Sequence, residues 1–222
     1  ITTDQLRVLA GDGELTALTS EQLPNLTEGQ IVSLETADIA ALDANQFRFI
    51  GGVQAPGEGV GYLSSDQVVA METADFAALS TVQVALLADS VERLQALAGE
   101  DIAALSTQQL QALGGKIAFL TTEQIVALEN GDLASLTNTQ IRDLTTAQIA
   151  SIETQDIKSL SVTQIRLWST EQLAALTTDQ IVALDDGDVA SLTTASLANL
   201  LTDQVRALET QDVKALSSLQ IQ

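Results

Sequence analysis

One phrase governs this chain: Leu-Thr-Thr-x-Gln-Ile-x-Ala, eight residues long and restated almost from end to end. From Leu120 onward the register never slips. Position one is Leu120, Leu128, Leu136, Leu144, Ile152, Leu160, Trp168, Leu176 and so on to Leu216. Position six runs in step through Ile125, Leu133, Ile141, Ile149, Ile157, Ile165, Leu173, Ile181 and Val189. Position eight is mostly Ala or Ser. Such a short period cannot be one uninterrupted α-helix: at about 100° per residue each octad drifts about 80°, and its leucines would wrap the whole surface. Something must reset the direction in every unit.

The reset is written at position two. Thr followed three residues later by Gln, as in Thr121 and Gln124, Thr145 and Gln148, or Thr177 and Gln180, is the capping-box pattern. Leu176 and Ile181 then stand at the two places joined by a hydrophobic staple. In octads such as Glu153-Thr154-Gln155-Asp156 the cap is expected to shift to the Thr, with acidic side chains around the positive helix end. Each octad thus predicts a helix of one to one and a half turns. A helix that short is unstable alone and must stack on its neighbours.

Positions one, six and eight are expected to face inward. Position seven holds Arg7, Arg48, Arg142, Lys158, Arg166, Arg206 and Lys214, seven of the nine basic residues, and marks the solvated face. The fold predicted is all-α, a solenoid of very short capped helices over residues 1–222. A β-solenoid is the alternative, disfavoured because the apolar positions mix odd and even and strands alternate with period two.

The first half follows the octad with insertions. The unit from Leu9 is one residue long, that from Leu113 one short, and that from Leu87 carries two extra. The largest departure, residues 50–62, is rich in Gly and Pro and reads as a loop projecting from the repeat body. A slower period overlies the octad: Glu129-Asn130-Gly131-Asp132 and Asp185-Asp186-Gly187-Asp188 are offset by seven octads, as are Glu153-Thr154-Gln155-Asp156 and Glu209-Thr210-Gln211-Asp212.

Composition bounds function mostly by exclusion. With 30 acidic and 9 basic residues the net charge is −21, unsuited to nucleic acid or anionic membrane. There is no cysteine and no histidine, hence no thiol nucleophile, no usual general base and no common soft-metal site. No residue constellation points to an enzyme, and no cofactor is implied, calcium apart. No apolar run reaches the length of a transmembrane helix. The chain enters and leaves in mid-pattern and reads as a segment of something longer.

Two groups of residues invite a site. Asp185, Asp186, Asp188, Glu129, Asn130 and Asp132 offer hard oxygen ligands on glycine turns and suit calcium; the alternative is that Asp or Asn caps the next helix. Phe47, Phe49, Gln54, Pro56 and Tyr62 make the insertion the most aromatic and least regular region, a candidate contact with another subunit or a place of local packing. Trp168, in the leucine position beside Leu167, reads as a wider section of core.

The tandem Leu-Thr-Thr-x-Gln-Ile-x-Ala phrase resembles octapeptide repeat regions of very large, acidic, cysteine-poor bacterial surface or secreted proteins. That resemblance covers nearly the whole chain and carries no catalytic residues. It implies export without a cleaved N-terminal signal and a structural role at the cell surface as a filament, sheath, surface layer or adhesin stalk. The partners implied are other copies or neighbouring repeats of the same chain. The competing function is a calcium-responsive or ligand-binding extracellular module.

Overall fold

A threonine hydroxyl and a glutamine carbonyl, three residues apart, stop and restart the backbone in octad after octad. At Thr177 the backbone is extended (φ −71°, ψ 162°) and the helix Thr178–Ala183 follows. The Thr177 hydroxyl accepts from the Gln180 N–H at 3.2 Å, and Gln180 Oε1 accepts from the Thr177 N–H at 2.8 Å. Thr121 with Gln124, Thr137 with Gln140 and Thr145 with Gln148 repeat the arrangement. The computed structural model describes residues 1–11, 13–52 and 57–222. Among these the chain is all α, with short 3-10 turns and no strand, so the β-solenoid alternative is not realised. The first helix, Thr3–Gly11, has nine residues; those after it have four to seven.

The chain forms two compact units, residues 1–119 and 120–222. In the second unit helices pack against the third helix along the chain, as Thr154–Ser159 does with Thr178–Ala183 and that helix with Thr202–Ala207. Position six is fully buried at Ile141, Ile149, Ile157, Ile165 and Ile181, and the leucines of position one are nearly so. Arg142, Lys158 and Arg166 at position seven are exposed, as expected.

Position eight departs from expectation. Ala127, Ser135, Ser151, Ser159 and Ala175 are only half-buried. The serines there turn back on their own helix, Ser151 Oγ donating to the Gln148 carbonyl at 2.8 Å and Ser191 Oγ to the Asp188 carbonyl at 2.7 Å. The third inward position is five. Gln124, Gln140, Gln148, Gln164, Gln172 and Gln180 are all buried. Trp168 is buried too, consistent with a wider core section, and its indole N–H has no partner among the described residues.

The cap does not shift in the acidic octads. Glu35, Glu72, Glu153 and Glu209 are themselves the N-caps, and the threonine after each is the first helical residue. Asp replaces Gln at position five, and its carboxylate accepts from the cap N–H: Glu35 to Asp38 Oδ2 and Glu209 to Asp212 Oδ2, both at 2.8 Å.

The first unit takes up its insertions without losing the stack. The described flanks of the 50–62 insertion do not project. The Gly51 N–H donates to the Leu23 carbonyl, the Gly59 N–H to the Ile50 carbonyl, and Glu58–Tyr62 forms a 3-10 turn with Val60 fully buried. Glycine is required here: Gly57 has φ +93°, and a Cβ at Gly59 would lie 2.4 Å from the Ile50 carbonyl oxygen. Residues 53–56, including Gln54 and Pro56, lie outside the described residues.

Candidate functional site

The buried Gln at position five does two jobs. Its Oε1 closes the local capping box; its Nε2 points away, to backbone carbonyls far back in the chain. Gln180 Nε2 donates to the Ile149 and Ile152 carbonyls at 2.9 and 2.6 Å. Gln204 Nε2 does the same to Leu173 and Leu176 at 2.9 and 2.7 Å, and Gln172 Nε2 to Leu144 at 2.6 Å. The acceptors lie 28 and 31 residues earlier, at positions one and six of preceding octads. The donor stands four residues into its own octad, so one regular coil is three octads, or 24 residues, in step with the packing of a helix on the third one along. The seven-octad period is not a whole number of coils.

Insertions lengthen the loop but leave the clasp intact. Gln67 reaches Leu34 and Ile31, 33 and 36 residues back across the insertion, and Gln109 reaches Leu79 and Phe76, 30 and 33 back across the two extra residues near Leu94. The acceptors are again positions one and six. The two basic residues that avoid position seven are explained in the same way. Arg93 occupies the Gln place after the Ser90 cap and donates to the Gly61 and Leu63 carbonyls. Burial holds its guanidinium below the usual arginine range. Lys116 donates to the Ala85 carbonyl and pairs with Asp89.

Sequence reasoning found the Gln only as a cap. One signal could have shown more. A capping box accepts Glu as readily as Gln, yet from Leu120 onward position five is Gln, Asp or, once, Ser, and never Glu. The regular octads need the amide donor as well as the carbonyl acceptor.

Among the proposed cation ligands, Asp185 and Asp188 are brought together as a reciprocal cap: Asp185 Oδ1 accepts from the Asp188 N–H at 2.8 Å and Asp188 Oδ2 from the Asp185 N–H at 3.2 Å. Asp186 is exposed and accepts from the Gly187 N–H. Glu129 is an exposed N-cap and Asp132 is half-buried at position five of the same octad. The Asn130 side chain lies outside what the structure describes. Glu129 and Glu153 border one surface cleft of about 340 Å³, and Asp185 and Glu209 border its counterpart of about 510 Å³. Among the described residues no three acidic side chains converge so that they could hold a metal ion.

The aromatic candidates divide. Phe47 is at position six and fully buried, so it serves the core and offers nothing to a partner. Phe49 is half-buried. Tyr62, 39% exposed, opens on a cleft of about 290 Å³ with Glu58, Asp89 and Arg93.

Three stretches of the chain have a counterpart among known repeat families. Residues 125–152, 149–186 and 181–218 match the ALTTAQ repeat. All three matches to the ALTTAQ repeat fall in the second unit, and each begins at a buried position-six isoleucine: Ile125, Ile149 and Ile181. No curated protein matches the chain. The ALTTAQ repeat thus coincides with the capped, clasped coils.

The acidic octads give the fold an unusual pH response. Burial, with Glu72 and Asp43 nearby, raises the Asp75 carboxyl from 3.8 to about 6 against the opposing bond from the Glu72 N–H. Burial raises Asp132, Asp156 and Asp188 as well, each also facing its own acidic cap. A carboxyl whose pKa is higher folded than unfolded favours the fold when protonated, and that contribution is lost as pH rises through the folded value. Stability to denaturant should therefore increase as pH falls through about 6. Lower net negative charge acts in the same direction. Asp75→Asn keeps an acceptor for the cap and removes the charge, so it should raise the urea midpoint at neutral pH and flatten this dependence. A midpoint that falls on mild acidification would contradict the assignment.

Proposed function

We propose that the chain is a structural repeat protein of the bacterial cell exterior, a single octad solenoid over 1–222 that builds a filament, sheath, surface layer or adhesin stalk. The observation that carries this reading is the uniformity of roles: position two caps, positions one and six fill the core, and position five clasps the coil before. The matches to a repeat family over residues 125–218 support it. So does the surface, acidic by 21 charges, which disfavours nonspecific contact with other anionic macromolecules. Among the described residues no helix is long and apolar enough to cross a membrane, so attachment to a cell would come from elsewhere.

Immunogold electron microscopy with antibody to this chain tests the reading on native cells. Label on extended material outside the envelope is the expected result. Label confined to the cell interior would retire the proposal.

A further inference from the structure

A side chain at position five clasps by donating, and an ionised carboxylate has nothing to donate. Asp75 stands at that position and is 3% exposed. Its helix, Thr73–Ala78, packs within the first unit against Ala44–Phe47 of the coil before and Gly99–Ala103 of the coil after. Asp75 Oδ2 accepts from the Glu72 N–H at 2.8 Å, and the other oxygen has no donor among the described residues. Gln67, one octad earlier, donates to the Leu34 carbonyl 33 residues back. The same step from Asp75 leads to Leu42, whose carbonyl receives no donor among the described residues.

The next seam shows that an Asp at position five lies within reach of the earlier coil. Asp101 Oδ1 accepts from the Thr73 hydroxyl at 2.8 Å, 28 residues back. Thr73 is position three of its octad. The residue in that place before Asp75 is Ala44, which has no hydroxyl. Asp75 is left among like charges: Glu72 in its own octad, Asp43 in the earlier one, Glu100 and Asp101 in the later one. The one cation in these three octads, Arg48, is exposed at position seven. Burial above all, with the charges of Glu72 and Asp43, raises the Asp75 carboxyl to about 6 against the bond from the Glu72 N–H.

We propose that Asp75 is an acid-operated clasp between the helices Ala44–Phe47 and Thr73–Ala78, open when the carboxyl is ionised and closed when it is protonated. Ionised, Asp75 leaves the Leu42 carbonyl untied. Taking a proton from solvent, it keeps Oδ2 on the Glu72 N–H and donates its new hydroxyl to Leu42, as Gln67 donates to Leu34. The Asp side chain is one methylene shorter than Gln, so making this bond draws the two coils together. A glutamine amide donates at every pH, so the Gln seams stay tied while this one opens and closes. The fold thus carries a conditional joint, which goes beyond the structural role proposed above and does not depend on it.

The test is an NMR pH titration of the whole chain, following the carboxyl carbon of Asp75 and the backbone carbonyl carbon of Leu42. Asp75 should titrate at about 6, and the Leu42 signal should move with the same midpoint. The Leu34 carbonyl, tied by Gln67, should not follow. Asp75→Asn should hold the Leu42 signal near its acid value at every pH, because the amide donates as the protonated carboxyl does. Ala44→Thr should give ionised Asp75 the hydroxyl that Thr73 gives Asp101, lowering both midpoints together. Thr at position three is common in this chain, as at Thr122, Thr146 and Thr178, so the variant suits the fold. An Asp75 that titrates in the ordinary carboxylate range would overturn the clasp. So would a midpoint of about 6 with Leu42 unmoved, which would leave burial acting without a new bond, or midpoints that Ala44→Thr does not lower.

Discussion

Gln180→Glu, a change of one NH2 for one oxygen, is expected to cost about 3–5 kcal/mol at neutral pH. The cap survives, because a Glu oxygen still accepts from the Thr177 N–H as Gln180 Oε1 does. What is lost is both donors to Ile149 and Ile152, replaced by a carboxylate facing two carbonyl oxygens at a site only 2% exposed. Two unpaired carbonyls cost about 1–3 kcal/mol each, and desolvating the charge adds to this. The new carboxyl should have a raised pKa, so stability would return as acid protonates it and lapse again as pH rises. Gln155→Glu, at an exposed position, should change little. Urea denaturation of the two variants at neutral and acid pH makes the comparison. Equal effects at Gln155 and Gln180 would mean that position five is only a cap.

The second large effect is at position six. Ile181→Ala removes a fully buried side chain from the coil core and should cost about 2–5 kcal/mol. Thr177→Ala, which deletes the hydroxyl accepting from Gln180, should cost about 0.5–2 kcal/mol. Arg206→Ala breaks only an exposed pair with Asp203 and should stay within about 0.5 kcal/mol. Denaturant unfolding followed by helicity ranks the three. An Arg206 variant more damaged than the Ile181 variant would invert the inside and outside of the coil.

What the sequence made legible follows from how local each interaction is. The box between Thr177 and Gln180 closes over three residues, so the motif alone reveals it. Leu176 and Ile181 are core because one period repeats them. Gln180 to Ile152 spans 28 residues, and nothing in an octad states how many octads make a coil. The seven-octad period does not supply it either, because seven octads are not a whole number of three-octad coils. Position eight misled for a related reason: small residues there looked like close packing, whereas Ser151 and Ser191 are small and polar to bond their own helix carbonyls. The acidic turns carry two readings in the sequence, oxygen ligands or caps, and the geometry of Asp185 and Asp188 displays the second: a reciprocal cap in which carboxylates stand where Thr and Gln stand elsewhere.

Glutamine amides tie each coil to the one before. Hydrogen exchange of the side-chain carboxamides, resolved by NMR with selectively labelled glutamine, reads those bonds directly. The Nε2 protons of Gln67, Gln83, Gln109, Gln172, Gln180 and Gln204 should exchange slowly, being buried and donated to backbone carbonyls. Those of the exposed Gln155 and Gln211 should exchange at the rate of a free amide. If all of them exchanged alike at the free rate, the coils would not be clasped and the account would be wrong.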